Sequence, residues 1–181
     1  EAFETYNSGR EKKWDPRQLE RTARHEAGHA LLCWKNGEMP AYLTIVARAD
    51  HGGYMQQEST EDKGVYTKAE LLGRIRTEED GITTGASGDL QTATGLARYM
   101  ICSCGMDEEA GMSVIGKEEL ARAGLNETIR EKINKILAEE LKNAEAVIRE
   151  NREILDTLTD VLMKENHIDG NRMKQIFENA R

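Results

Sequence analysis

The chain of 181 residues has few aromatic side chains, prolines and cysteines. Aromatic residues make up 5% of it, and only two prolines and three cysteines are present. Three cysteines cannot all pair with one another and form no Cys-x-x-Cys set, so we expect reduced thiols, as in a cytosol, rather than a disulfide framework. No apolar run approaches the roughly 20 residues that cross a bilayer, and no signal peptide is recognisable.

Basic residues are fewer than acidic residues in this chain. Acidic residues number 33 against 25 basic ones, and the formal net charge of −8 argues against nucleic acid as a partner. Charged residues make up 32% of the chain, above the usual share of about 25%, which predicts long solvated helix faces. The length suits one globular domain, or a domain with an appendage.

Five consecutive residues, His25-Glu26-Ala27-Gly28-His29, form a His-Glu-x-x-His pattern. Helix positions four apart lie on one face about a turn apart, so the two imidazoles can hold one metal ion. Glu26 would then reach a water molecule bound to that ion. Two imidazoles, one carboxylate and a position left to water are a usual ligand set for catalytic zinc. The alternative is two unrelated histidines on a core helix.

The residues around this pattern predict the helix that it needs. Asp15 is a good N-cap and Pro16 suits the first helical position. Gly37 supplies a stop, so we expect a helix from Pro16 to Lys35. Apolar residues recur within it at helical spacing: Leu19, Ala23, Ala27, Ala30, Leu31 and Trp34.

Residues 41–48 are rich in β-forming side chains and, with 53–57, predict a β-hairpin. The free edge of such a hairpin can pair with an extended peptide and place its scissile bond over the metal. The alternative is a hairpin that only packs on the helix, and we expect both roles. His51, in the turn between the strands, and His167, near the last helix, are expected at the surface.

The third metal ligand must come from elsewhere in the chain. Thr67 to Glu70 is a capping box that begins one helix, and Ser87 is a fair N-cap for another. Asp89 falls in the first turn of that second helix, where the helix N-terminus stabilises a carboxylate that can bind a cation. Acidic residues are common in first turns without any metal, and Glu78 and Glu79 are rival ligands.

The last third of the chain is helical. An apolar stripe from Ile129 to Ile148 predicts a long amphipathic helix from Asn126, and a second helix follows. Asp169 is expected to cap a short final helix. These helices are expected to form a hairpin that packs on the catalytic core, or alternatively to mediate self-association.

Two motifs, and the order in which they follow one another, resemble the peptidase domain of the FtsH-type AAA metalloproteases. The resemblance covers nearly the whole chain. The first is the His-Glu-x-x-His helix and the second is the Thr-Thr-Gly-Ala-Ser stretch that leads to Asp89. The matching segments are 22–30, 53–54, 83–90, 93–94, 96–97 and 105–106.

The resemblance implies a zincin-like, mainly α catalytic domain with a small two- to three-stranded β element and a C-terminal helical hairpin. It implies Zn²⁺ held by His25, His29 and Asp89, with Glu26 as the general base that activates a zinc-bound water. The reaction would be endopeptidase hydrolysis of unfolded or damaged polypeptides. The alternative is a metal-binding or inactive helical scaffold that serves assembly.

The resemblance also implies a larger machine. Residues 1–14 would be the connector from an ATPase module that binds ATP and Mg²⁺, residues 15–122 the zinc peptidase core, and residues 123–181 the C-terminal helical part of the same domain. The parent would be a hexamer, tethered to the membrane by segments outside this chain, with this domain in the cytosol. The sequence departs from the family at Arg24, where an aromatic residue is common, at Gly88, where Asn is common, and at Arg76-Thr77, where a longer helix is expected.

Overall fold

The structure is a computed structural model that describes residues 15–46, 54–57, 67–77, 87–107, 114–120 and 124–179. The predicted fold class, mainly α with a small antiparallel sheet, is confirmed. The elements are α1 Pro16–Lys35, β1 Pro40–Thr44, β2 Tyr54–Gln57, α2 Lys68–Thr77, α3 Ser87–Cys102, α4 Lys117–Leu120, α5 Leu125–Glu150, α6 Arg152–Glu165, β3 His167–Asp169 and α7 Gly170–Asn179. Among the described residues, no helix has the length and apolar character that crossing a bilayer requires.

The chain divides into two compact units, each with its own core. The first unit takes its residues from 1–61 and 147–181, and the second from 62–146. The division into a connector at 1–14, a core at 15–122 and a C-terminal part at 123–181 stays a prediction. Residues 1–14 lie outside the described part of the chain.

Helix α1 has the predicted bounds, but its first turn differs from the expectation. The carbonyl of Asp15 accepts a hydrogen bond from the amide of Leu19 at 3.0 Å, whereas the Asp15 side chain makes no capping hydrogen bond. This side chain is exposed, so water can solvate its carboxylate without help from the helix. At the other end, Gly37 adopts φ +86°, a left-handed conformation that ends the helix as predicted.

The core of the first unit forms where α1 packs on α6 and β1. Helix α1 contributes a face of small side chains, Ala23, Ala27 and Ala30, which are fully buried. A stack of Trp34 on Phe177, with ring centroids 4.3 Å apart, joins the end of α1 to α7. Leucines of α6 complete this core: Leu155, Leu158 and Leu162.

The sheet has the order β2-β1-β3, with antiparallel pairing on both sides of β1. Strands β1 and β2 form the predicted hairpin, although β1 ends at Thr44 and residues 47–53 lie outside the described part. Strand β3 was not predicted from the sequence. It places Ile168 opposite Leu43 and adds a buried side chain to the core.

The second unit is built from α2, α3, α4 and most of α5. The predicted capping box begins α2, since Glu70 accepts a hydrogen bond from the Thr67 amide at 2.8 Å and Thr67 Oγ1 accepts one from the Glu70 amide at 3.2 Å. A partly buried ion pair joins Asp107 to Lys132 of α5 at 2.7 Å. The core of this unit holds Leu71, Ile75, Ala93, Ala97, Met100, Ile101, Cys102, Ile129 and Ile133.

The last helix begins as the sequence indicates. Asp169 Oδ1 accepts a hydrogen bond from the amide of Arg172 at 2.8 Å, which confirms Asp169 as the cap of α7. The three cysteines all lie in the described part of the chain, and none of them forms a disulfide.

Candidate metal centre

His25 and His29 point the same way from the middle of α1. Their Nε2 atoms are 3.3 Å apart, and their rings meet edge to face with centroids 4.5 Å apart. His29 is 7% exposed, and His25 is partly exposed. The pair therefore offers two ring nitrogens at one place, on a helix whose neighbouring turns are held in the core.

The separation of the two nitrogens fits a tetrahedral metal ion. Zinc–nitrogen bonds of about 2.0–2.1 Å at a tetrahedral angle require the two nitrogens to be about 3.3–3.4 Å apart. The observed 3.3 Å agrees with this value. Without a metal, the same separation permits a weak hydrogen bond in which one neutral imidazole donates its proton to the other. A metal ion bound through both Nε2 atoms would replace this contact and would require both rings to carry their proton on Nδ1.

Glu26 lies between the two histidines in sequence and is 6% exposed. Burying a carboxylate is unfavourable unless other groups compensate its charge. A buried acid beside two histidines that could ligate a metal is therefore a candidate functional position. The neighbours Ala27 and Gly28 are also buried. Their small size leaves room for other elements to pack closely against this turn of α1.

Asp89 lies in the second unit, in the first turn of α3, as the sequence predicted. Its side chain is partly buried. The N-terminal end of a helix favours a negative charge, so the carboxylate of Asp89 is stabilised in its ionised form. This is the form in which a carboxylate binds a metal ion.

The structure says less about the other acidic residues and histidines that the sequence analysis considered. Glu78, Glu79 and His51 lie outside the described residues. His167 is exposed in β3, which confirms its surface position, and its ring stacks on that of Tyr42 with centroids 6.0 Å apart.

One contact beside the histidines had no signal in the sequence. Arg24 precedes His25, and its Nη2 atom lies 2.9 Å from Oδ1 of Asp156 on α6. The two residues are far apart in the chain, and no pattern in the sequence pairs them. Only the packing of α6 on α1 brings them together.

The sequence model of peptidase family M41 matches residues 12–176. The chain belongs to peptidase family M41. Similar proteins include the ATP-dependent zinc metalloprotease FtsH 1 of Methylacidiphilum infernorum, which is 32% identical over all of this chain and 33% of its own length. The ATP-dependent zinc metalloprotease FtsH of Thermotoga maritima is 30% identical over 90% of the chain and 31% of its own length. The FtsH of Bacillus subtilis is 31% identical over 87% of the chain and 29% of its own length.

The M41 chain therefore spans about a third of the length of these curated relatives. Its alignment with the Methylacidiphilum protein covers 209 positions against 181 residues, so at least 28 positions of the alignment have no residue here.

Proposed function

We propose that this chain is a zinc endopeptidase domain, in which His25, His29 and Asp89 hold the ion and Glu26 is the general base. The observation that carries the proposal is the 3.3 Å separation of the His25 and His29 Nε2 atoms, which suits two ligands of one tetrahedral zinc ion. Membership of peptidase family M41 and the zinc metalloprotease names of the relatives support it.

When bound, Zn²⁺ lowers the pKa of a water molecule and polarises the scissile carbonyl group. Glu26 accepts a proton from the attacking water and later donates it to the departing amine. The buried position of Glu26 keeps bulk water away from its carboxylate, so the carboxylate can exchange its proton with the reacting groups instead. His25, His29 and Asp89 orient the site and do not exchange protons during the reaction.

The first experiment separates metal binding from catalysis through Glu26→Gln. This variant keeps the size of the side chain and removes its ability to accept a proton. We expect zinc content equal to that of the unsubstituted chain and a loss of casein hydrolysis of about 10²- to 10⁴-fold. Glu20→Gln, an exposed change on the same helix, is the matched control and should leave both measurements unchanged. Casein hydrolysis at the original rate by Glu26→Gln would refute the role of Glu26.

The second experiment tests the third ligand. Asp89→Ala removes the carboxylate while the helix start remains, and we expect zinc affinity to fall by at least tenfold when measured by competition with a chromophoric chelator. Exposed Glu127, in the first turn of α5, is the matched control position, and Glu127→Ala should not change zinc affinity. Unchanged zinc affinity in Asp89→Ala would show that Asp89 is not the third zinc ligand and that another carboxylate has this role. A chain that binds no zinc at all would favour the inactive scaffold instead.

The wider setting of the domain is part of the same proposal. The relatives are named ATP-dependent, so we infer that an ATPase module, which binds ATP and Mg²⁺, delivers unfolded polypeptides to this domain within a homo-hexamer. We infer that the parent protein is tethered to a membrane by segments outside this chain, with the domain in the cytosol. Truncating the parent protein to this chain should then abolish the ATP dependence of proteolysis but leave zinc binding intact.

A further inference from the structure

Arg24 makes an ion pair between two helices directly beside the candidate metal ligands. Its Nη2 atom lies 2.9 Å from Oδ1 of Asp156, and this oxygen has less than 1 Å² of solvent contact. The side chains as wholes are 41% and 46% exposed, so the contact lies at the rim of the interface between α1 and α6. The approach is not aligned as a hydrogen bond, so the attraction is mainly electrostatic.

The core that α1 shares with α6 is mostly apolar. On the α1 side it includes three small residues, Ala23, Ala27 and Ala30, together with Leu31, each fully buried. Alanine side chains allow close approach of two helices, but they interlock little and resist sliding or rotation weakly. A charged contact between defined atoms at the rim adds a restraint on the rotation of α1 to those that Leu31 and the stack of Trp34 on Phe177 provide.

A small rotation of α1 matters for metal binding because it moves His25 and His29 together relative to any ligand that another element supplies. The Cα atoms lie about 2.3 Å from the helix axis, and a histidine Nε2 lies roughly 7 Å from it. A rotation of about 10° therefore moves both nitrogens together by about 1 Å, without changing their separation, whereas the distance from the metal to a ligand outside α1 is held within about 0.2 Å. Arg24 is the residue immediately before His25, so its contact acts on the turn that carries the first ligand.

We propose that Arg24 is a positioning residue for the metal site, and that its ion pair with Asp156 fixes the rotation of α1 against α6. The inference rests on the proposed zinc function. The sign of the effect separates positioning from simple electrostatics. Removing a positive charge near a dication should tighten zinc binding through reduced repulsion, whereas losing a positioning contact should weaken it.

The test is zinc affinity of the full chain, measured by chelator competition well below the melting temperature. Exposed ion pairs contribute little, so we expect Arg24→Gln to raise the zinc Kd by about two- to fivefold. Asp156→Asn should give a similar rise, and the double variant should be no weaker than either single one, since each removes the same contact. The visible spectrum of bound Co²⁺, which reports ligand geometry, should change in the same variants.

Two control variants match these changes. Arg152 also lies near Asp156, with its Nε 3.8 Å from Oδ2, but both residues belong to α6, so Arg152→Gln leaves the link between the helices in place. Arg21→Gln removes an exposed positive charge from α1 without breaking this ion pair. Neither control should raise the zinc Kd or alter the Co²⁺ spectrum.

Unchanged or tighter zinc binding in Arg24→Gln would overturn the inference, as would additive effects in the double variant. Both results leave the proposed function standing, provided that the unsubstituted chain binds one zinc ion. Failure of the unsubstituted chain to bind zinc would instead refute the proposed function.

Discussion

Gly170 is a position where a single methyl group should destabilise the first unit. It begins α7 directly after β3, and a Cβ atom placed on it would lie 3.1 Å from the carbonyl oxygen of Pro40 and 3.3 Å from that of Ala41. Both atoms belong to the backbone of β1, the central strand of the sheet, and cannot rotate away as a side chain could. Gly170→Ala therefore forces α7 or β1 to shift.

The expected size of the effect follows from two opposing terms. Overpacking of this kind costs about 1–3 kcal/mol, and replacing glycine by alanine returns about 0.4–1 kcal/mol through the lower entropy of the unfolded chain. The net loss of unfolding free energy is about 1–2 kcal/mol. For a chain of this size each kcal/mol corresponds to about 2–4 °C, so the melting temperature should fall by about 2–8 °C.

Gly95 provides the matched control. It lies inside α3, is exposed, and a Cβ atom there would meet no atom within 4 Å. Gly95→Ala should therefore raise the unfolding free energy by about 0.5–1 kcal/mol. Thermal unfolding followed by circular dichroism, with urea unfolding as a second measure, would test both variants. A Gly170→Ala protein as stable as the unsubstituted chain would refute the close packing of α7 on β1.

Two further predictions concern the second unit. Thr67→Ala removes one half of the capping box on α2 and should destabilise that helix by about 1 kcal/mol, with Thr67→Ser as the control that keeps the cap. Hydrogen exchange of the α2 amides measures this, and equal exchange in both variants would contradict it. Burial raises the pKa of the Cys102 thiol, an effect that Arg98 partly offsets, so less thiolate forms near pH 8. Iodoacetamide should therefore label Cys102 more slowly than the more exposed Cys104, and the difference in labelling rate should narrow as the pH rises. Mass spectrometry measures both rates, and equal rates would disprove this prediction.

Local signals in the sequence were sufficient for the helix that carries the histidines. Pro16 and Gly37 mark its ends because their backbone preferences act within one or two residues. The capping box at Thr67 and the cap at Asp169 were predictable for the same reason, since each contact spans three residues. The spacing of His25 and His29 also fixed their shared face before any tertiary contact was known.

The expectation for Asp15 shows the limit of such local signals. A favourable residue type at the right position does not ensure that its side chain caps the helix, because an exposed carboxylate can interact with water instead. Its backbone carbonyl still accepts the first hydrogen bond of α1. The boundary of the helix was therefore predictable, whereas the conformation of its capping side chain was not.

The sequence by itself determined which helix holds the two imidazoles, because helix period and capping are properties of neighbouring residues. Only the tertiary structure decided that β3 pairs with β1, since His167–Asp169 is too short to show a strand pattern and its partner lies more than 120 residues away. The same holds for Arg24 and Asp156, whose contact exists because the alanine face of α1 lets α6 pack closely against it. Such long-range pairings depend on how complete surfaces fit together, and no short stretch of the chain encodes that fit.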